Sequence, residues 1–446
     1  MSDDTCILYS LANRDLLEKI VVEHVHSLRD RIRFCLLVSK ELHRMFLLQS
    51  EDEHVMPRRL FRGHSVCFKE KDVGVSGGAV EEYCRVTGGG DWRDTSPKSI
   101  TIIADDFQIG CSESTEYAVE KGGDGSGVIL HVVGDLQDPL YLFARCLLPQ
   151  MASSFPELSI QVLILRKSLN FGVYHRLMRG SSSKDVFMSL QRLHITETSL
   201  VLTDVMNLHE FISLQELVIE DSHIAAIYND HMDKTVAHML PPALGRLELL
   251  RCHIRNVSIN DWLFSLPKTC RRISLTTVFD VIHGTGDAIA LPSYVDLSHC
   301  EILQLVDVHP KGNICMRINY NATRVLNLQG GSMEVEWIGN VALKPCMDVV
   351  QTTQANVLST IPLAALYSVK ELDIVVHSFD SLDAILRRYL LADEITRCNL
   401  KKCICRVPPQ ASSGANKKST VHVPIALLNT LAEVASRWPE IKFTFV

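Results

Sequence analysis

Apolar residues in the middle of the chain recur in a fixed frame. It reads Leu190-x-x-Leu193-x-Ile195-x-x-Thr198-x-Leu200 and returns as Leu214-x-x-Leu217-x-Ile219-x-x-Ser222-x-Ile224. Two further copies follow, Leu244-x-x-Leu247-x-Leu249-x-x-Cys252-x-Ile254 and Cys270-x-x-Ile273-x-Leu275-x-x-Val278. The fourth and sixth positions are apolar and the residues beside them polar, which is the period of a strand with one buried face. The frame predicts parallel strands beginning near Leu193, Leu217, Leu247 and Ile273, neighbours in one sheet.

Copies on either side are less regular. Phe155-x-x-Leu158-x-Ile160-x-x-Leu163-x-Leu165 precedes the best block, and Pro292-x-x-Val295-x-Leu297-x-x-Cys300-x-Ile302 follows it. After these come Thr323-x-x-Leu326-x-Leu328, Val369-x-x-Leu372-x-Ile374, Ile395-x-x-Cys398-x-Leu400-x-x-Cys403-x-Cys405, and a closing Trp438-x-x-Ile441-x-Phe443. Upstream, Gly63-x-x-Val66-x-Phe68 and Pro97-x-x-Ile100-x-Ile102 carry only the first half of the frame. Short helical stretches at 260–266, 380–391 and 424–438 return the chain between strands, and Leu240-Pro241 and Leu266-Pro267 stop such returns. Gly- and Ser-rich inserts at 74–78, 88–90, 122–127, 181–183 and 408–420 read as loops.

This spacing and period resemble the leucine-rich repeat. The resemblance implies an α/β solenoid, a horseshoe with its parallel strands on the concave face, over residues 60–446 and clearest at 155–305. In that family the small ninth position turns the chain and satisfies backbone groups, a role that Thr198, Ser222 and Cys252 fit.

Residues 7–50 carry no such frame. Leu16, Leu17, Ile20 and Val21 recur at helical spacing, as do Leu36, Val38 and Leu42, which predicts a small unit of three short helices. The order Leu16-Leu17-Glu18-Lys19-Ile20, Ser27-Leu28-Arg29-Asp30, Leu37-Val38-Ser39-Lys40-Glu41-Leu42 resembles an F-box. In that family the motif docks on a Skp1-like adaptor and through it on a cullin, so the resemblance implies adaptor contacts at Leu16, Leu17, Ile20, Val21, Leu36, Val38 and Leu42. Three helices can equally seal the end of a solenoid without binding an adaptor. Two functions therefore stay open, a ubiquitin-ligase substrate receptor and a scaffolding repeat protein whose head is a cap.

Composition narrows the classes without choosing between them. Lys and Arg number 45 and Asp and Glu 52 in 446 residues, a net charge of −7, so no nucleic-acid partner is expected. The acidic start and the lack of any apolar run of spanning length lead us to expect no leader and no membrane partner. With 14 scattered cysteines read as buried thiols, a cytoplasmic or nuclear protein is expected.

Candidate chemistry is thin. Gly74-Val75-Ser76-Gly77-Gly78 matches a nucleophile-elbow spacing but sits in a loop, and Gly122–Gly127 lacks the Lys-Ser/Thr of a phosphate loop. Cys398, Cys403 and Cys405 fall on repeat positions rather than in Cys-x-x-Cys pairs, so no metal, cofactor or catalytic residue is expected. Asn321-Ala322-Thr323 is a glycosylation sequon, relevant only to a secreted chain. What remains is the polar side of the strands, read as a surface for an unknown protein target. It carries Arg192, His194, Glu216, Glu220, Arg246, Glu248 and Arg272, and further on Glu371, Asp373, Arg397, Asn399 and Lys401. Glu216, Glu220 and Glu248 would repel one another mildly on adjacent strands unless a basic target, or Arg246 and Arg251, neutralises them.

Overall fold

In a parallel sheet, each strand's inward residues meet the same positions of the next strand, so a repeated frame stacks into columns. The computed structural model describes residues 65–69, 99–103, 128–133, 160–166 and 188–445, apart from gaps at 202–206, 226–239, 256–258, 282–293, 311–312, 354, 376–377, 394–396 and 407–422. The helices expected in 7–50, with Leu16, Leu17, Ile20, Val21, Leu36, Val38 and Leu42, lie outside the described residues, as do the two Gly-rich loops. The chain divides into two units, 1–217 and 218–446.

The first unit is a parallel ladder of β1 (Ser65–Lys69), β2 (Ser99–Ile103), β3 (Val128–Val133), β4 (Ile160–Arg166) and β5 (Arg192–Thr196), followed by the short β6 (Ser199–Val201). Its register aligns Val66, Ile100, Leu130, Leu163 and Leu193 in one column and Phe68, Ile102, Val132, Leu165 and Ile195 in the next. The frame beginning at Phe155 is therefore displaced. The strand starts at Ile160, and Leu163 and Leu165, not Leu158 and Ile160, fill the columns.

The division falls within β7 (Glu216–Glu220). Beyond it come β8 (His223–Ala225), β9 (Arg246–Leu250), β10 (His253–Arg255), helix α1 (Ile259–Phe264) and the long β11 (Arg272–Val281). Next are β12 (Val295–Asp296), β13 (Ile302–His309), β14 (Ile314–Asn319), β15 (Val325–Gly330), β16 (Met333–Ile338) and β17 (Val349–Thr352). Helices α2 (Ala355–Thr360) and α3 (Leu363–Leu366) lead to β18 (Glu371–Val375), and α4 (Phe379–Leu386), extended by a π-turn, leads to β19 (Lys402–Arg406). Helix α5 (Ile425–Arg437) precedes the last strand, β20 (Lys442–Phe445).

The order β9-β11-β13-β15-β17-β18-β19-β20 is parallel throughout, a parallel-strand β-solenoid. One core column runs Leu247, Ile273, Leu303, Leu326, Val350, Leu372, Cys403. From Leu247 to Val350 these side chains are fully buried.

Three frames change register here. Val295 does not open a strand of this sheet: β12, β14 and β16 form a separate parallel sheet, and β13 takes the place in the main one, with Cys300 as first residue and Leu303 and Leu305 inward. The frame beginning at Ile395 starts instead at Leu400, so Arg397, Asn399 and Lys401 are off the strand and Lys402, Ile404 and Arg406 are on it. In β20 it is Phe443 and Phe445, not Ile441 and Phe443, that align with the core column residues Cys403 and Cys405. Strands β3, β14 and β17 match no copy of the frame.

In six coils a corner follows the first five strand residues. Glu197, Asp221, Arg251, Thr277 and Asp307 have φ between 48° and 54°, and Gly330 has φ 113°. All six stand at the same place, seven residues after the first frame position. A left-handed residue turns the chain sharply, and outside glycine it costs about 1–3 kcal/mol. The ninth position then braces the turn: Thr198 Oγ1 donates to the Thr196 carbonyl (2.9 Å), Ser222 Oγ to that of Glu220 (2.6 Å) and Cys252 Sγ to that of Leu250 (3.4 Å).

Replacing Leu249 by Ala should destabilise the protein by about 2–5 kcal/mol in a denaturant titration, because the fully buried side chain leaves a cavity in a column of its own kind. Gly330→Ala should also destabilise, since a Cβ there would meet the Val308 backbone nitrogen at 2.7 Å in a left-handed conformation. Unchanged midpoints for both would contradict the stacking described.

Candidate interaction surface

Residues between the inward positions emerge on the other side of the main sheet. In the first unit that face carries Arg192, His194 and Thr196. Arg192 pairs with Glu216 at 2.6 Å, and the His194 ring is nearly buried, with its Nε2 3.2 Å from Thr196 Oγ1. In the second unit, Arg246 grips Glu248 on its own strand through two nitrogens, at 2.8 and 3.0 Å. Arg251, at the left-handed corner, reaches the preceding coil and pairs with both Glu220 and Asp221. The Arg251 hydrogen bond holds the Asp221 carboxyl below its ordinary pKa, and the pairing with Asp221 and Glu220 raises that of the guanidinium. Glu216, Glu220 and Glu248 thus do not face one another unneutralised: each has an arginine.

The far end of the face is also paired. Lys402 meets Glu371 at 2.7 Å, and Arg406 holds both oxygens of Asp373 at 2.9 Å. Asp373 is 7% exposed, so this pair stands partly out of water, unlike that of Arg251. Between these ends lie three strands without charge on the face: Ile302, Gln304 and Val306; Val325, Asn327 and Gln329; Val349 and Gln351. Arg272, on β11 beside them, is exposed and makes no ion pair among the described residues.

Other candidate groups serve the interior. Burial raises the thiol pKa of Cys252 to about 11 and of Cys270 to about 12, and pushes Cys300 up further, so none is a nucleophile. Cys403 and Cys405 are buried with their sulfurs 3.8 Å apart, whereas Cys398 lines an apolar pocket with Leu372, Leu386 and Tyr389. Among the described residues no group of three His, Cys, Asp or Glu could hold a metal, and no helix is long and apolar enough to cross a membrane. The sequon is engaged internally: Thr323 is buried with its hydroxyl donating to the Cys300 carbonyl, and the Asn321 amide donates to Leu343.

Sequence reasoning missed an exposed ring ladder. His223, His253, Phe279 and His309 stand in register on β8, β10, β11 and β13, with ring centroids 5.0, 5.6 and 4.8 Å apart. All four occupy the tenth position of their frames, and that recurrence was the available signal.

No protein-family model matches the chain, and no curated protein matches it. The face carries paired charge at its flanks and an uncharged centre.

Two arginine truncations should differ. Arg406→Ala leaves the nearly buried Asp373 unpaired and should cost about 1–3 kcal/mol, whereas Arg251→Ala should cost under about 1 kcal/mol, because its partners are solvated. Asp221 has a lowered folded pKa, so its pairing stabilises the protein above the unfolded carboxylate pKa and is lost as pH falls through the folded one. The small difference between wild type and Arg251→Ala should shrink in denaturant titrations run from pH 7 down to about pH 3. Maleimide labelling of the native protein, mapped by mass spectrometry, should modify the exposed Cys346 well before Cys252, Cys270 or Cys300.

Proposed function

We propose that the protein is a non-catalytic interaction protein, the substrate receptor of a cullin-based ubiquitin ligase. In this reading the helical head at 7–50 holds a Skp1-like adaptor, and leucine-rich repeats hold the target. The receptor forms no covalent bond itself; it raises the rate of transfer by keeping the target near the ligase's reactive thioester. The carrying observation is the pairing of an F-box-like sequence with a solenoid whose frame repeats in register and whose sheet face in the second unit is ordered by Arg246–Glu248 and Arg406–Asp373. A repeated face in the same chain as an adaptor-type motif is what a receptor needs. The horseshoe form, the adaptor contacts and a cytoplasmic or nuclear location belong to the same reading.

The test is co-purification. Tagged wild-type protein should recover a Skp1-like adaptor from cells, and the double variant Leu16→Asp/Ile20→Asp should lose it while its circular dichroism is unchanged. No adaptor with the wild type, or equal recovery by both, would favour a scaffolding protein whose head is a cap.

A further inference from the structure

The reading of the sheet face as a target surface leaves the target's chemistry open, and the face itself carries more information. Resting on that reading, we propose that the centre of the face binds an extended peptide segment, aliphatic in its middle and bearing a carboxylate at the end that lies over Arg272.

Three observations carry this. The register places Arg272, Ile302, Val325 and Val349 in one row across four neighbouring strands. The three aliphatic side chains are half-exposed on the polar side of the sheet, where a solvated face would ordinarily present charge. Beside that row stand the half-exposed amides of Gln304 and Gln351, in register on either side of Asn327, which is nearly buried and accepts from Gln329. Amides both donate and accept, so they suit a peptide backbone, which needs both.

Charge supplies the polarity. Glu220, Glu371 and Asp373 each have a cationic partner, and Glu248 is taken by Arg246. Arg272 stands directly beside Arg246 in register. Glu248 goes to Arg246, and Arg272, with no ion pair among the described residues, borders the aliphatic row. Strands about 4.8 Å apart make that row roughly 14 Å long, which an extended chain spans in about four or five residues. Nucleic acid would need several free cations here, and the centre of the face has none to offer.

The full-length protein should be used as bait for displayed random linear peptides about seven residues long. Enriched sequences should combine consecutive aliphatic residues with an Asp or Glu at one end of the run. Synthetic copies should bind Arg272→Glu at least about tenfold more weakly than wild type, and exchanging their acidic residue for Lys should restore binding to that variant. Arg272 is exposed, so this substitution leaves the fold intact. Val325→Lys, checked by circular dichroism, should weaken every enriched peptide. The proposal is overturned if enriched peptides ignore both substitutions, or if no linear peptide is enriched. Either failure leaves adaptor recovery untouched, whereas lost adaptor recovery sinks the ligase reading without touching this result.

Discussion

The backbone ladder between successive strands is the constraint on which the rest of the second unit depends. Parallel hydrogen bonding admits one register at a time, so each residue of a coil is set beside its counterpart in the next. Leu249 beside Leu275 beside Leu305 follows from that, and so does Arg272 beside Ile302. Each inward position then packs against its counterparts in the same column, which favours apolar residues there, Thr352 being an exception. Thiols at Cys252, Cys270 and Cys300 meet this demand as small apolar groups, and burial makes them inert.

The corner is the second consequence. A coil closes only if its strand turns at the same place as its neighbours, and six coils use a left-handed residue there. Only Gly330 adopts that conformation without strain against its own Cβ; the other five are held by the ladder on either side. A side chain at such a corner is thrown outward, and this lets Arg251 reach Asp221 and Glu220, thirty and thirty-one residues earlier. The same repetition stacks the rings of His223, His253, Phe279 and His309 just beyond the corner.

The return path is under weaker control. It needs only to bury one side against the sheet, and the chain does this with α1, then with the sheet of β12, β14 and β16, then with α4 and α5. Gaps between first frame positions accordingly vary, and loops enter without disturbing the ladder. The polar sheet face is isolated from this variation, since its residues come only from strand positions held in register.

The sequence by itself determined the columns. Positions four and six of the frame from Leu190 to Val278 are buried strand residues, because alternation over five residues is a local signal. It did not determine where a degenerate frame begins. Spacings of three and two alternate through the repeat, so a frame shifted by five or eight residues reads almost as well, and Ile160, Cys300 and Leu400 are the true first positions. Strand β17 shows no legible frame because Thr352 fills a core column position that is apolar in the neighbouring strands. Only the tertiary structure decided which charges meet. Arg406 and Asp373 are thirty-three residues apart, and Arg272 meets no carboxylate among the described residues. Coils of unequal length hide such neighbours from any local pattern, and only the hydrogen bonds between coils bring them side by side.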